Sequence, residues 1–200
     1  MSINDVIPAW LQERLLNLER RKVHYESSFV GPHNAFLHSH FPVKEGFLVK
    51  PEARLRTLTP ANAAGRTSSD SDRSYDSNGQ PVATSRDDIF PDFLVSIATG
   101  NLDGDTPILI WELKRGDSGT KGEAQILGYA EWADDYQQWK ALLNLKELPP
   151  VHVVLVEKNK FRVFSAIEGQ LRNQVEYPSV LDGNLHTWLR ELATRREVTV

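Results

Sequence analysis

Two neighbouring stretches, Pro91-Asp92-Phe93-Leu94-Val95-Ser96-Ile97 and Ile108-Leu109-Ile110-Trp111-Glu112-Leu113-Lys114, decide how this 200-residue chain is read. In the first, Phe93, Val95 and Ile97 alternate with other residues, the period-two pattern of a β-strand. Between the two lies Asn101-Leu102-Asp103-Gly104-Asp105, whose Asp-Gly pair is a strong turn signal, so the stretches form a β-hairpin. Glu112 and Lys114 stand two apart and point to one face of the second strand, with Ile108 and Ile110 ahead of them on that face. Leu109, Trp111 and Leu113 cover the opposite face. The turn allows Asp92, at the start of the first strand, to come alongside the charged pair. A strand apolar on both sides that ends in Glu-x-Lys demands an explanation, because charges taken out of water are costly unless they are satisfied.

Outward from the hairpin, Gly116 to Gly122 reads as a Gly-rich bend, and a helix runs from about Gly122 to Leu145, stopped by Pro149-Pro150. Val151 to Val156 and Phe161 to Ala166 are two further strands joined by a tight Glu157 to Lys160 turn, and a last helix covers roughly Leu185 to Arg195. Toward the N-terminus, Pro8 to about Tyr25 is an amphipathic helix with Trp10, Leu11, Leu15 and Leu18 on one face. His33 to His40 reads as a connection, with Gly31 and Pro32 as breakers, and a strand falls within Gly46 to Leu58. Residues 60–86 hold few large aliphatics and many Ser, Asp, Asn, Gly and Pro, so they read as a long mobile loop inserted in a single domain spanning 1–200. The order of elements implies a mixed α/β fold, a central mixed sheet flanked by helices.

The composition is that of an ordinary globular chain, 40% apolar and 25% charged, with a formal charge of −4. No window approaches the roughly 18 consecutive apolar residues of a membrane span, and Met1 to Trp10 does not resemble a secretory signal. An intracellular protein with no membrane partner is expected. The absence of cysteine excludes disulfides, thiolate zinc sites and a thiol nucleophile. Neither a P-loop, a Gly-x-Gly-x-x-Gly turn nor a Gly-x-Ser-x-Gly elbow is present, which leaves nucleotide-driven and α/β-hydrolase chemistry unsupported.

A hard divalent cation would account for acids at the end of such a strand. Mg²⁺ or Mn²⁺ is held by one or two carboxylates together with water and substrate phosphate. It polarises a phosphoryl oxygen and makes water hydroxide-like near neutral pH, while the Lys114 ammonium can orient that water or stabilise charge on the phosphate. Pro91-Asp92 followed by Glu112-Leu113-Lys114 resembles the PD-(D/E)xK nuclease superfamily, the restriction-endonuclease-like phosphodiesterases, and strand, turn, strand, helix is the core order of that family. The resemblance implies a restriction-endonuclease-like core, with Asp92 and Glu112 as metal ligands and Lys114 as water-positioning base or charge stabiliser. Gln125-Ile126-Leu127-Gly128-Tyr129 is similar to the Q-x-x-x-Y helix motif of RecB-like branches, which puts Gln125 and Tyr129 on one helical face toward the site. Family members often add an acid from the first helix. Glu13, Glu19 and Glu26 compete for that place, and Glu26 is selected because it extends the Leu11, Leu15, Leu18 face. Arg115 and Lys121, next to the motif, can contact phosphate.

The expected activity is therefore metal-dependent hydrolysis of nucleic-acid phosphodiester bonds, with DNA favoured over RNA and room for a symmetric homodimer. A nuclease-like domain without catalysis, binding nucleic acid or protein, is the alternative. Plainer readings stand beside each residue. Asp92 can be a strand-entry turn residue, Glu112 and Lys114 a salt-bridged strand end, and Tyr129 a core residue under Trp132 or Ala133. His33, His38 and His40 fit no zinc spacing and read as surface or loop residues. An unrelated fold with a chance motif would hold Asp92 and Glu112 far apart.

Overall fold

The computed structural model describes residues 6–20, 27–53, 55, 73–75, 81–83, 89–98, 105–114, 119–142, 149–157 and 160–194. In chain order they form α1 (Ala9–Arg20), α2 (Ser27–His40), a 3-10 turn (Val43–Glu45), β1 (Phe47–Pro51), β2 (Arg73–Tyr75), β3 (Pro81–Ala83), β4 (Phe93–Ile97) and β5 (Thr106–Lys114). Then follow α3 (Gly119–Leu142), β6 (Val151–Glu157), β7 (Lys160–Ile167), β8 (Gln170–Tyr177) and α4 (Gly183–Thr194).

Six strands form one mixed sheet in the order β1-β4-β5-β6-β7-β8, flanked by helices, and β2 and β3 pair separately. Every neighbouring pair in the large sheet is antiparallel except β5 and β6, which run parallel. That pair requires a long crossover, which α3 supplies. This is the helix-flanked mixed sheet that the sequence implied. β4, β5 and β6 lie at the centre and are buried almost throughout, as their Val, Ile and Leu runs lead one to expect.

The two faces of the sheet bury different things. On one, Phe93, Val95, Trp111, Leu113, Val154, Val156 and Phe161 pack with Leu11, Leu15 and Leu18 of α1, Phe36 and Leu37 of α2, and Leu185 and Leu189 of α4. On the other, Leu94, Ile110, Val153, Leu155 and Phe164 pack against Ile126, Tyr129, Ala130 and Ala133 of α3. Alternation along β5 therefore sends Glu112 toward α3, as it does Ile110.

Several expectations need correction. The connection from His33 to His40 is the helix α2, with Pro32 inside it. Gly31 is exposed, Pro32 only half-buried, and the buried stripe Phe29, His33, Phe36, Leu37, His40 has helical spacing, so packing overrides the two breakers. His33 and His40 are core residues rather than surface ones, while Trp10, expected on the inner face of α1, is 64% exposed. Ile108 packs with Leu109 on the α1–α2–α4 side because the register jumps there: Val95 faces Leu109 but Ser96 faces Pro107, leaving Ile108 as the extra residue of a bulge. β8 went unread because it is a polar edge strand, exposed along most of its length. Within the 60–86 stretch, β2 and β3 form a short antiparallel pair where only loop was expected; the remainder lies outside the described residues. The predicted ends of the first helix and of α3, and the 101–104 part of the hairpin turn, also lie outside them.

Candidate active site

The site gathers at the end of β5. Glu112 is only 3% exposed, yet it is not isolated. Its Oε1 accepts hydrogen bonds from Lys114 Nζ at 2.5 Å and from Gln125 Nε2 at 2.8 Å, and its Oε2 accepts one from the Tyr129 hydroxyl at 2.6 Å. Gln125 Nε2 also donates to the Tyr129 oxygen at 2.7 Å. The helix delivers both partners together because residues four apart share a face. Three donors on one buried carboxylate are the arrangement that makes a buried charge tolerable.

Tyr129 serves two roles at once. Its ring is fully buried in the α3-side core, as the plain reading held, and its hydroxyl reaches Glu112. Burial first, then the negative charge of Glu112, pushes its ionisation far above the ordinary phenol range. The hydroxyl is thus a permanent neutral donor toward the carboxylate at working pH.

Asp92 is held from the neighbouring strand. β4 and β5 pair with Phe93 opposite Trp111, and one step further along that register brings Asp92 opposite Glu112. Side chains at such cross-strand positions stand about 5 Å apart at Cβ. Asp92 Oδ2 accepts the Leu113 backbone N–H at 2.7 Å, and its own carbonyl accepts the N–H of Glu52 at 2.9 Å. Both acids therefore sit on the α3 side of adjacent central strands, and not far apart as the chance-motif reading expected. Two carboxylates with hard oxygen donors, one beside a lysine, suit a divalent cation of the Mg²⁺ or Mn²⁺ kind.

Not every candidate joins them. Glu13 is exposed. Glu19 is committed elsewhere: its carboxylate accepts hydrogen bonds from Ser179 Oγ at 3.0 and 3.1 Å and from the Val180 N–H at 2.8 Å, tying α1 to the approach to α4. Glu26 and Arg115 lie outside the described residues, as does the side chain of Lys121, whose backbone is in α3. Among the described residues no three His, Cys, Asp or Glu side chains gather as a ready metal cage.

No protein-family model matches this chain, and no curated protein does. A solved structure described as a DrdV–DNA complex aligns with 94% of this chain at 15% sequence identity and a TM-score of 0.44. The chain spans only 13% of the length of that one. No helix among the described residues is long and apolar enough to cross a membrane.

One charged group beside the site escaped the sequence reading. Glu157 ends β6 directly opposite Lys114 in the parallel pairing, is buried, and accepts a hydrogen bond from Arg162 Nη2 at 2.7 Å. Arg162 Nη1 lies 3.4 Å from Glu123 Oε1 of α3. Part of the signal was in the sequence: Val151 to Val156 is followed by Glu157 as Ile108 to Trp111 is by Glu112, but only the parallel pairing brings the two ends side by side.

Proposed function

We propose that the chain is a metal-dependent nuclease that hydrolyses phosphodiester bonds of nucleic acid, with DNA ahead of RNA as substrate. The observation that carries this reading is the buried Glu112 carboxylate, gripped by Lys114, Gln125 and Tyr129 and set across from Asp92. Asp92 and Glu112 would hold the Mg²⁺ or Mn²⁺ ion, which when bound supplies Lewis acidity toward a phosphoryl oxygen and a hydroxide-like water. Gln125 and Tyr129 fix the orientation of the Glu112 carboxylate, so that little reorganisation is left for the reaction itself. Lys114, whose side chain keeps 22% of its surface exposed, is placed to neutralise charge developing on the phosphate. Cleavage of single- and double-stranded DNA and RNA in Mg²⁺, Mn²⁺ and EDTA tests the reading. Metal-dependent cutting lost in Glu112→Gln and Lys114→Ala supports it.

One observation favours the alternative, a nuclease-like module that binds without cutting. Both oxygens of Glu112 already accept hydrogen bonds, one of them from the lysine itself, so the ion pair is closed in this state. Absence of cleavage under every condition, with nucleic acid or protein still bound, selects that reading.

A further inference from the structure

Among the side chains whose exposure is described, only two aromatic ones are exposed, Trp10 and Phe90. Trp10 lies on α1, across the sheet from the candidate site. Phe90 is 48% exposed and stands two residues before Asp92. Its carbonyl lies 3.4 Å from the Tyr129 hydroxyl that hydrogen-bonds Glu112. The backbone that carries the ring is held on both sides. Ile89 exchanges backbone hydrogen bonds with Leu55 at 2.9 and 3.2 Å, Pro91 is buried, and the Asp92 carbonyl is bonded to Glu52. A core that otherwise takes in its phenylalanines leaves this one out, on a fixed support two residues from Asp92, with its carbonyl beside the hydroxyl that bonds Glu112.

We infer that Phe90 is a stacking platform for an unpaired base next to the phosphate in the site, and that the chain acts on single-stranded or locally unstacked nucleic acid. The inference rests on the nuclease reading for its phosphate-binding end, but not for the stacking itself. A single exposed aromatic is common on protein surfaces and means nothing alone. What gives this one a role is its position: a base has a π-face whatever its sequence, a half-exposed phenyl ring offers the matching face, and the duplex form hides that face within the stack. The substrate class that can use Phe90 is therefore the single strand, with little sequence preference.

The test is equilibrium binding of single-stranded and duplex oligonucleotides carrying 2-aminopurine, in EDTA so that nothing is cut. Wild type is compared with Phe90→Leu, which keeps an apolar side chain without a π-face, and Phe90→Trp, which keeps the face. The inference predicts fluorescence quenching on wild-type binding, single-strand affinity reduced roughly 5- to 150-fold in Phe90→Leu, and recovery in Phe90→Trp. Thermal unfolding of each variant, expected to match wild type, shows that the fold is intact. Equal single-strand affinity of wild type and Phe90→Leu overturns the inference, as does a wild type that prefers duplex. Cleavage by Glu112→Gln separates the two ideas. If that variant still cuts while Phe90 governs single-strand affinity, the assignment of cleavage to the Glu112 site fails and the stacking role stands. If wild type cuts in metal and Glu112→Gln does not, yet Phe90→Leu binds normally, only the stacking role fails.

Discussion

Each face of the central sheet buries polar side chains, and Glu112 on one face and His33 on the other are treated in opposite ways. On the α3 side, Glu112 is buried and every oxygen has a donor. On the α1–α2–α4 side, His33 sits among the rings of Phe29, Phe36, Trp111 and Phe161, and its Nδ1 has no hydrogen-bond partner. His40 Nε2 meets His186 Nδ1 at 2.9 Å, so one nitrogen donates to the other and the pair cannot both be cationic at that contact. Burial pushes His33 down to about 3, and burial together with His186 and Arg190 takes His40 to about 3. A charged group kept in the interior needs a purpose-built set of partners, whereas a neutral imidazole can serve as an aromatic. The contrast separates a candidate site from a packing core without reference to any motif.

The largest effect is expected on the packing side. Phe36 is fully buried between His40, His186 and Trp111, and Phe36→Ala should destabilise the fold by about 3–5 kcal/mol, measured by chemical denaturation. A loss below about 1 kcal/mol would break the picture of this face as tightly packed core.

Acid should come next. The folded-state ionisation of His33 and His40 lies below the ordinary imidazole value of 6.5, so both stay neutral in the fold and charge more readily when unfolded. Their contribution is complete above about pH 6.5 and is lost as pH falls from there toward 3. The denaturation midpoint should decline across that window. His33→Leu, which removes a ring nitrogen that bonds nothing, should flatten the decline; an unchanged slope would contradict the buried, neutral assignment.

A smaller and more selective effect belongs to the α3 side. Tyr129→Phe removes the hydroxyl that donates to Glu112 Oε2 and accepts from Gln125 Nε2, and leaves the ring in place. It should cost roughly 1.5–3 kcal/mol of stability, as for a bond to a charged group, and weaken metal affinity about 10- to 100-fold, as for other outer partners of metal ligands. Calorimetric Mn²⁺ titration would read the second. A stability loss with no change in metal affinity would reduce Tyr129 to a core residue.

How much of this was legible in the sequence depended on the kind of signal. The hairpin, β6 and β7 announced themselves through alternating or continuous apolar runs, and the Gln125–Tyr129 spacing put both on one helical face before any coordinates. α2 was hidden because Gly31 and Pro32 look like stops, and because a stripe containing His33 and His40 does not score as apolar until those rings are known to be neutral. β8 was hidden because an edge strand needs no apolar face. Trp10 misled in the reverse direction: its position suited a buried face, but Leu11, Leu15 and Leu18 already fill it. Within the site, Glu112, Lys114, Gln125 and Tyr129 meet as a set. Glu157 was overlooked because its meaning depends on β5 and β6 being parallel neighbours, a long-range fact that no local window contains.

The most direct measurement is cleavage of a mixed DNA and RNA panel by wild type and Glu112→Gln in Mg²⁺, Mn²⁺ and EDTA, with thermal unfolding of both proteins alongside. The expected result is cutting that needs the metal and falls at least about a hundredfold in Glu112→Gln, since losing a ligand costs no less than losing an outer partner, while the variant stays folded. Cutting that persists in the folded Glu112→Gln protein, or in EDTA, would contradict the central claim that this buried carboxylate is the heart of a metal-dependent site.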